Sequence, residues 1–122
     1  MKLHPDPGTT LNTVTAYGEG FVEVNARRHV QAIVLMPEEP VAHWPVDRFE
    51  SLQADHFESL LPYKPELVLL GTGARQRFPH PRLTRALTDA RVGVEVMDTR
   101  AACRTYNILM TEGRRVMAAL LL

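Results

Sequence analysis

The sequence predicts an α/β fold, formed by a single domain of unknown function that spans residues 1–122. Two short, mostly apolar runs, Leu67–Leu70 and Val92–Met97, are typical of strands with little exposure to water. A helical pattern follows each run, and a third apolar run closes the chain. This alternation favours a mainly parallel sheet with helices on its faces, and we expect the strands that end at Gly71 and Met97 to be its centre.

The N-terminal part predicts a β-meander that precedes the alternating region. Short strands are predicted over Val14–Tyr17 and Gly20–Val24, joined by a tight turn. A second turn is predicted over Asn25–Arg28, because asparagine tolerates a left-handed backbone. The third strand is predicted over His29–Met36. Residues 1–12, which are rich in proline and threonine, predict an irregular lead-in.

The middle of the chain predicts a loop and then a helix. Three prolines, an acidic pair and Trp44, the single tryptophan, lie within Pro37–Pro45, and this composition indicates a loop. Leucine and phenylalanine recur near helical spacing over Asp47–Leu61, which predicts a helix with a break or bend around Gln53–Asp55.

The second half contains two further helical patterns. A loop over Gly71–Pro81 is followed by a predicted helix over Pro81–Arg91, since proline suits a first helical turn. Asp98 or Thr99 is expected to cap the last helix, which ends at a glycine in a position that glycine favours. The final strand is predicted over the remaining residues, 114–122. The buried stripe of the last helix is expected to contain Ala101, Ala102, Thr105, Ile108 and Leu109.

Composition narrows the class of protein. The chain is 45% hydrophobic and 23% charged, which is ordinary for a globular domain. One cysteine, Cys103, rules out an intrachain disulfide and fits a reducing compartment. The N-terminus shows no apolar segment of a secretory signal, and the run Val116–Leu122 is far shorter than the roughly 20 residues of a membrane span. We therefore expect a cytoplasmic protein without a membrane span.

Charge is unevenly distributed along the chain, although the net charge is zero. Residues 1–73 carry five basic and ten acidic side chains, whereas residues 74–122 carry nine arginines and four acidic side chains. The two parts either attract each other within the domain or leave an arginine patch for an anion or an acidic partner. A sequence pI near 7.0 and the absence of aromatic residues among the arginines argue against nucleic acid as a partner.

The loop Gly71-Thr72-Gly73 is a candidate binding site, because ligands of α/β sheets tend to bind where strands end. A dinucleotide-binding pattern would need a third glycine, but position 76 is glutamine. Two interpretations stay open. The glycines serve a turn whose backbone geometry requires them, or they border a polar pocket for another ligand or a partner.

Arginines form the second candidate. Arg75 and Arg77 follow the same predicted strand, and we expect them to converge with Arg104 above the edge of the sheet. Arginine's planar group suits carboxylate and phosphate. The alternative is that Arg104 pairs internally with Asp98 or Glu112. A single polar face of the last helix is expected to contain Arg100, Arg104, Asn107 and Thr111.

No set of residues predicts catalysis. Tyr106 either presents a hydroxyl or packs at the edge of the core. Cys103 lies beside Arg104 near a helix start, conditions that lower a thiol pKa, but buried cysteines are common. The five histidines are scattered without metal-ligand spacing. The residues favour a non-enzymatic protein with no catalytic residues, metal or cofactor, and they leave the question of an enzyme open.

Two segments, LVLLGTG at 67–73 and TRAACRTYNILMTEGRRVMAALLL at 99–122, resemble a family of small domains of unknown biochemical function. Its eukaryotic member is the mitochondrial NADH dehydrogenase (ubiquinone) complex I assembly factor 3. The specific part is the helix with its threonine–tyrosine–asparagine sequence, followed by Glu-Gly-Arg. The positions that match the recurring pattern are Gly71, Gly73, Arg104, Tyr106, Asn107, Glu112 and Arg114.

The resemblance implies a three-layer α/β domain with a central mixed five-stranded sheet, whose last strand is antiparallel to the rest. It also implies work on protein partners in the assembly of a membrane complex, and it supplies no catalytic residues. The chain shows no mitochondrial presequence, so we expect a compact bacterial member.

The sequence therefore supports two candidate functions. The first is a non-enzymatic binding or assembly-factor-like domain that uses the arginine-bearing edge of the sheet or the loop Pro37–Pro45. The second is a small-molecule site for an anion, with or without catalysis, at the Gly71–Gly73 loop. There Arg75 and Arg104 would hold the ligand, and Asp98 or Tyr106 would handle a proton. Homodimerisation through the first strands or the Trp44 loop is left open.

Overall fold

The computed structural model of the protein describes residues 11–122, so the predicted lead-in lies almost entirely outside the described residues, as does His4. Two short 3₁₀ turns, Phe49–Ser51 and Leu61–Tyr63, flank the first helix. The strands and helices are β1 (Val14–Gly18), β2 (Phe21–Val24), β3 (Arg27–His29), β4 (Ile33–Leu35), β5 (Ala42–His43), α1 (Ala54–Glu58), β6 (Leu67–Thr72), α2 (Pro81–Asp89), β7 (Gly93–Met97), α3 (Thr99–Thr111) and β8 (Val116–Leu121).

The α/β prediction is confirmed, with a mixed five-stranded sheet in the order β5-β4-β8-β6-β7. β6 is parallel to both β7 and β8, which confirms a mainly parallel region after Asp47. The expectation for the last strand is wrong: β8 is parallel to β6 and antiparallel to β4. The reason is that α3 runs back along the sheet before Gly113, so the chain enters β8 in the direction of β6.

The predicted centre of the sheet is also partly wrong. β6 is central, but β7 forms an edge, and β8 takes the place expected for it. All six residues of β8 are buried, whereas Gly93 and Glu95 of β7 are exposed. A strand with no polar side chain suits the middle of a sheet, where both of its faces and both of its edges are covered.

Two hydrophobic cores give the fold its three layers. On one face of the sheet, Phe57 of α1, Leu60 just after this helix and Leu87 of α2 pack against alternate residues of β6 and β8. On the other face, α3 and the β-meander pack against the intervening residues of the same strands. The three-layer architecture is therefore present, with the meander sharing a layer with α3.

The N-terminal meander is confirmed as the antiparallel sheet β1-β2-β3. The turn is shorter than predicted, since only Asn25 and Ala26 have positive φ, at 50° and 67°. The predicted strand His29–Met36 is split: His29 ends β3, and β4 covers only Ile33–Leu35. The split occurs because His29 pairs with β2, whereas Ile33 pairs with Leu120 in the other sheet.

The β2–β3 turn yields a stability prediction. A left-handed backbone costs an L-residue about 1–2 kcal/mol, and glycine avoids this cost but loses about 0.5–1 kcal/mol of entropy. Ala26→Gly is therefore expected to raise the free energy of unfolding by about 0.5 kcal/mol, measured by urea denaturation. Ala16→Gly, within β1, should lower it by a similar amount. A loss of stability in Ala26→Gly would contradict this explanation of the turn.

The loop that contains Trp44 is packed onto the body of the domain. Trp44 is buried, its backbone N–H donates to the carbonyl of Ala32, and its indole Nε1 donates to the carbonyl of His56 at 3.2 Å. Its ring makes an edge-to-face contact with Phe57. β5 lies within this segment, which sequence analysis predicted as a loop throughout. The tryptophan is therefore a core residue and is not available for a dimer contact.

The single helix predicted over Asp47–Leu61 is wrong, because the segment forms one 3₁₀ turn and the short helix α1, and the second 3₁₀ turn begins at its last residue. The predicted break is present at Gln53, whose backbone is extended at φ −132°. The backbone N–H of Gln53 donates to Nδ1 of His56 at 2.9 Å, which closes a capping box at the start of α1. The capping box therefore starts a separate helix at the position where the sequence predicted a break or bend.

The buried stripe of α3 is rotated relative to the prediction. Ala102 is buried as expected, but Ile108 is 60% exposed, and Ala101, Thr105 and Leu109 are only partly covered. The buried stripe lies instead on the side of the helix that faces away from Ile108. Its members are Thr99, Ala102, Cys103, Tyr106 and Met110.

Candidate functional site

The candidate site is the carboxyl edge of the five-stranded sheet, where β6 and β8 end and α3 begins. Gly71 is paired with Met97 and Leu120 in the register of the sheet. A Cβ atom on Gly71 would lie 2.9 Å from Cδ2 of Leu120 and 3.1 Å from Cα of Thr99. The start of α3 therefore packs directly on the backbone of β6, and only glycine leaves room for it.

Thr99 connects the three elements that meet at this edge. Its Oγ1 accepts a hydrogen bond from the backbone N–H of Gly73 at 2.8 Å and donates one to the carbonyl of Leu121 at 2.6 Å. Its backbone N–H donates to the carbonyl of Gly73 at 2.9 Å. Because Thr99 is buried, these bonds form away from water, and the N–H of Gly73 is already occupied.

Thr72 organises the loop that follows β6. Its Oγ1 lies 2.7 Å from the carbonyl oxygen of Arg75 and 3.2 Å from that of Met97, and it accepts from the backbone N–H of Arg77 at 3.2 Å. Gly73 has φ +92°, a conformation that favours glycine. The polar groups of the Gly71–Gly73 loop are thus directed at the protein itself, which favours the interpretation of the glycines as parts of a turn.

The predicted convergence of the arginines is not found. Arg77 forms an ion pair with Glu50 at 2.6 Å and stacks over the ring of Phe49, which packs against the core that α1 and α2 cover. Arg104 donates from Nη1 to the hydroxyl of Tyr17 at 3.1 Å, on the opposite face of the sheet. The sequence predicted that these side chains converge because local patterns do not show where the turn with Glu50 and the strand with Tyr17 lie in space.

The remaining arginine features follow from these contacts. Arg75 is exposed in the loop after β6. Within residues 11–122, Arg104 has no carboxylate within ion-pair distance, so the alternative of a pairing with Asp98 or Glu112 is not found either, and Arg104 contacts Tyr17 instead. Backbone hydrogen bonding at Glu50 itself, together with the hydrogen bond from Arg77, holds the pKa of the Glu50 carboxyl below its usual range.

Tyr106 and Asn107 attach the N-terminal segment to α3. Tyr106 is fully buried, and its hydroxyl donates to the carbonyl of Asn12 at 2.8 Å. Burial raises the pKa of Tyr106, so the hydroxyl stays protonated. The Asn107 amide donates from Nδ2 to the carbonyl of Val14 and accepts at Oδ1 from the N–H of Val14. Both side chains therefore contact the protein's own backbone in this structure.

An open depression of about 610 Å³ lies at the edge, between the β1–β2 turn and the start of α3. The contribution of Tyr17, Glu19 and Gly20 was not predicted, because nothing local indicates that the β1–β2 turn reaches α3. Asp98 is engaged at the helix start, where its carboxylate accepts from the N–H of Ala101. The lining residues are Tyr17, Gly18, Glu19, Gly20, Gly73, Ala74, Asp98, Thr99, Arg100, Leu121 and Leu122.

The depression can hold a polar group of either charge, since Arg100, Asp98 and Glu19 line it. Among residues 11–122, no three histidine, cysteine, aspartate or glutamate side chains are close enough together to bind a metal ion. In the same part of the chain, no helix has the length and apolar character that crossing a bilayer requires. Within the depression, the guanidinium of Arg100 is a group suited to an anion.

Cys103 yields a prediction about reactivity. Burial raises the pKa of its thiol to about 12, an effect that the nearby Arg104 offsets only in part. Because the thiolate is the reactive form, native protein at pH 8 should react with a disulfide reagent such as DTNB far more slowly than protein unfolded in urea. Native reaction at the rate of a free thiol would show that this side of α3 opens to solvent.

Comparison with known proteins places the fold among characterised structures. A crystal structure of a Bordetella parapertussis protein is 53% identical in sequence and superimposes with a TM-score of 0.89, over 94% of this chain and 98% of that one. A bovine relative, NADH dehydrogenase [ubiquinone] 1 alpha subcomplex assembly factor 3, is 36% identical over 104 residues, 84% of this chain and 55% of the relative. The chain thus corresponds to only about half of that relative.

A bacterial relative from Francisella tularensis, named 13 kDa major membrane protein, is 34% identical over 71 residues, which is 58% of each chain. The model of the family described as "Protein of unknown function (DUF498/DUF598)" matches residues 14–121. This match covers every strand and helix from β1 to β8. The chain therefore belongs to the DUF498/DUF598 family, and it is homologous to complex I assembly factor 3.

Proposed function

We propose that the protein is a non-enzymatic binding domain with an assembly-factor-like role, and that it binds a protein partner through the carboxyl edge of its sheet. The similarity to a complex I assembly factor over 84% of the chain supports the role. Because the chain corresponds to about half of that relative, we propose where on this protein the partner binds and do not name the partner. We also propose the cytoplasm of a bacterium as its location.

The observation that carries the proposal is the contrast between a fixed scaffold and an exposed basic edge. Thr72 and Thr99 are buried and fix the loop after β6 and the start of α3 by hydrogen bonds. Arg75, Arg100 and Arg104 are exposed around this scaffold. A rigid surface loses little conformational entropy on binding, and arginine is enriched at the energetic centres of interfaces.

The groups with catalytic chemistry support the same interpretation. The thiol of Cys103 and the hydroxyl of Tyr106 are fully buried, and the Asp98 carboxylate caps α3. A reaction at the edge would need a nucleophile or a base that can reach a bound substrate. This distribution favours binding over catalysis.

A small anionic ligand is the second candidate function, and the depression beside Arg100 favours it. A ligand that binds only the folded protein would stabilise it by about 2.7 kcal/mol at a concentration 100 times its Kd. A thermal-shift screen of carboxylates and phosphates, compared between wild type and Arg100→Ala, tests this candidate. A shift that requires Arg100 would favour it over the protein partner.

Affinity capture from the native cell extract, with membranes solubilised, tests the proposed function. Wild type is compared with Arg75→Ala/Arg104→Ala, and with Arg27→Ala/Arg91→Ala as a control of equal charge at exposed positions elsewhere. We expect a specific partner to be retained by wild type and the control and to be lost in the edge variant. A partner that all three proteins retain would contradict the proposed surface.

A further inference from the structure

The loop between β6 and α2, residues 73–80, is fixed in shape. Gln76 donates from Nε2 to the carbonyl of Val96 on β7 at 2.9 Å. The Arg77 guanidinium lies 4.2 Å from the ring centroid of Phe49 and pairs with Glu50. At the end of the loop, Nδ1 of His80 accepts from the first turn of α2. The loop is therefore attached to β7, to the segment before α1 and to α2.

Phe78 projects from this fixed loop into solvent. Its side chain is 72% exposed, more than Val30 at 69% and Ile108 at 60%, the other large hydrophobic residues exposed within residues 11–122. The preceding side chain, Arg77, is turned inward and contacts the protein. The charged residue of this pair is therefore packed, and the aromatic one is left in solvent. An aromatic ring held rigidly in water loses little freedom when a partner covers it.

The sequence around Phe78 is basic. Residues 74–88 contain Arg75, Arg77, Arg82 and Arg85 and no acidic residue. Of these four, only Arg77 takes part in an ion pair within the part of the chain that the structure describes. Arg75, Arg82 and Arg85 are exposed and form no ion pair within residues 11–122, so this stretch of the sequence carries uncompensated positive charge.

We infer that Phe78 is the anchor of the protein interface at this edge, and that the partner presents an acidic segment with an apolar pocket for the ring. This inference rests on the proposed function and specifies its partner. An aromatic residue with arginines around it matches the composition of interface hot spots. The uncompensated arginines select an acidic surface and speed its approach.

A second copy of this chain is a poor occupant of the same surface. Two copies that met at Phe78 would bring their uncompensated arginines together, and like charges across an interface oppose association. The acidic half of the sequence, residues 1–73, does not compensate for this in a two-fold contact, because such a contact joins the same patch to itself. A different, acidic protein therefore fits the surface better.

Panning a random peptide library on the immobilised protein tests the inference without a known partner. We expect wild type to enrich peptides that combine acidic residues with an aromatic or leucine side chain. The enriched peptides should bind Phe78→Ala at least ten times more weakly by fluorescence anisotropy, and Arg82→Ala/Arg85→Ala several times more weakly. Val30→Ala, which truncates a side chain of similar exposure elsewhere, should bind them like wild type.

Other outcomes would overturn the inference. One is enrichment of peptides whose binding Phe78→Ala does not weaken, and another is a lack of enrichment of acidic peptides. The others are Phe78-dependent binding to anionic lipid vesicles in place of peptides and Phe78-dependent dimers in sedimentation. Equal far-UV spectra and melting temperatures of wild type and Phe78→Ala would show that weaker peptide binding by the variant is not caused by misfolding. In the capture experiment, a partner lost in Arg75→Ala/Arg104→Ala but kept by Phe78→Ala would overturn this inference alone and leave the proposed function standing.

Discussion

Gly71→Val is expected to lower the free energy of unfolding by about 3 kcal/mol, at the upper end of the cost of overpacking a core. The first carbon of the new side chain would lie 3.0 Å from Oγ1 and 3.1 Å from Cα of Thr99. The backbone of Thr99 cannot move aside without breaking the bonds that join α3 to Gly73 and Leu121. Urea denaturation monitored by circular dichroism measures the loss.

Gly93→Val is the matched control. A Cβ atom on Gly93 meets the flexible end of the Leu67 side chain at 3.0 Å, and its next contact, the carbonyl of Glu66, is at 3.9 Å. Because Gly93 is exposed on an edge strand, where valine is favoured, this variant should change stability by less than about 1 kcal/mol. Equal losses in the two variants would contradict the close packing of α3 on Gly71.

Thr99→Val is expected to lower the free energy of unfolding by about 2 kcal/mol, because a buried donor and a buried acceptor lose their partner. Valine has nearly the shape of threonine, so the change removes the hydroxyl that links Gly73 and Leu121 and adds no cavity. Thr99→Ser keeps the hydroxyl and should retain most of the stability that valine loses. Serine as damaging as valine would show that the methyl packing of Thr99, and not its hydroxyl, holds the edge together.

Substitutions at Gly71 and Thr99 also distinguish residues that position the binding surface from residues that form it. Thr99 and Gly71 are buried, so neither touches a partner, yet both position the loop that carries Arg75 and Phe78. If the loop is the binding surface, Thr99→Val should weaken partner binding at a temperature where the variant remains folded. Thr99→Ser should restore it.

Local patterns were sufficient for much of the fold. The apolar run before Gly71 and the turn at Asn25 mark β6 and the β2–β3 hairpin within a few residues, since burial and left-handed backbone impose strict demands on residue type. Asp98 is the cap of α3, one of the two residues predicted. These features depend on neighbours in sequence, and so the sequence reveals them.

Features that depend on distant residues were not predictable in the same way. The helix α3 has apolar residues on two sides, and hydrophobicity alone favours Ile108 and Leu109 over Cys103 and Tyr106 as its core. The sheet order places β8 between β4 and β6, which no local pattern specifies. Periodicity identifies an amphipathic element, but tertiary packing decides which face is covered.

The strands that end at the candidate edge were predicted from the sequence, but the contacts of its side chains were not. Arg104 contacts Tyr17, which is 87 residues away in the sequence, and Arg77 contacts Glu50, from which α1 and β6 separate it along the chain. Exposure of Phe78 was not anticipated either, because a phenylalanine between an arginine and a proline gives no indication of its direction. Such contacts follow from the assembled fold alone.

Hydrogen exchange of the protein, free and in complex with the partner recovered by affinity capture, tests the central claim most directly. We expect slower exchange over residues 73–80 and the first turn of α3, with little change over residues 64–66 and 112–115. Protection confined to residues 64–66 and 112–115, which lie at the amino ends of β6 and β8, would contradict the assignment of the binding surface to the carboxyl edge of the sheet.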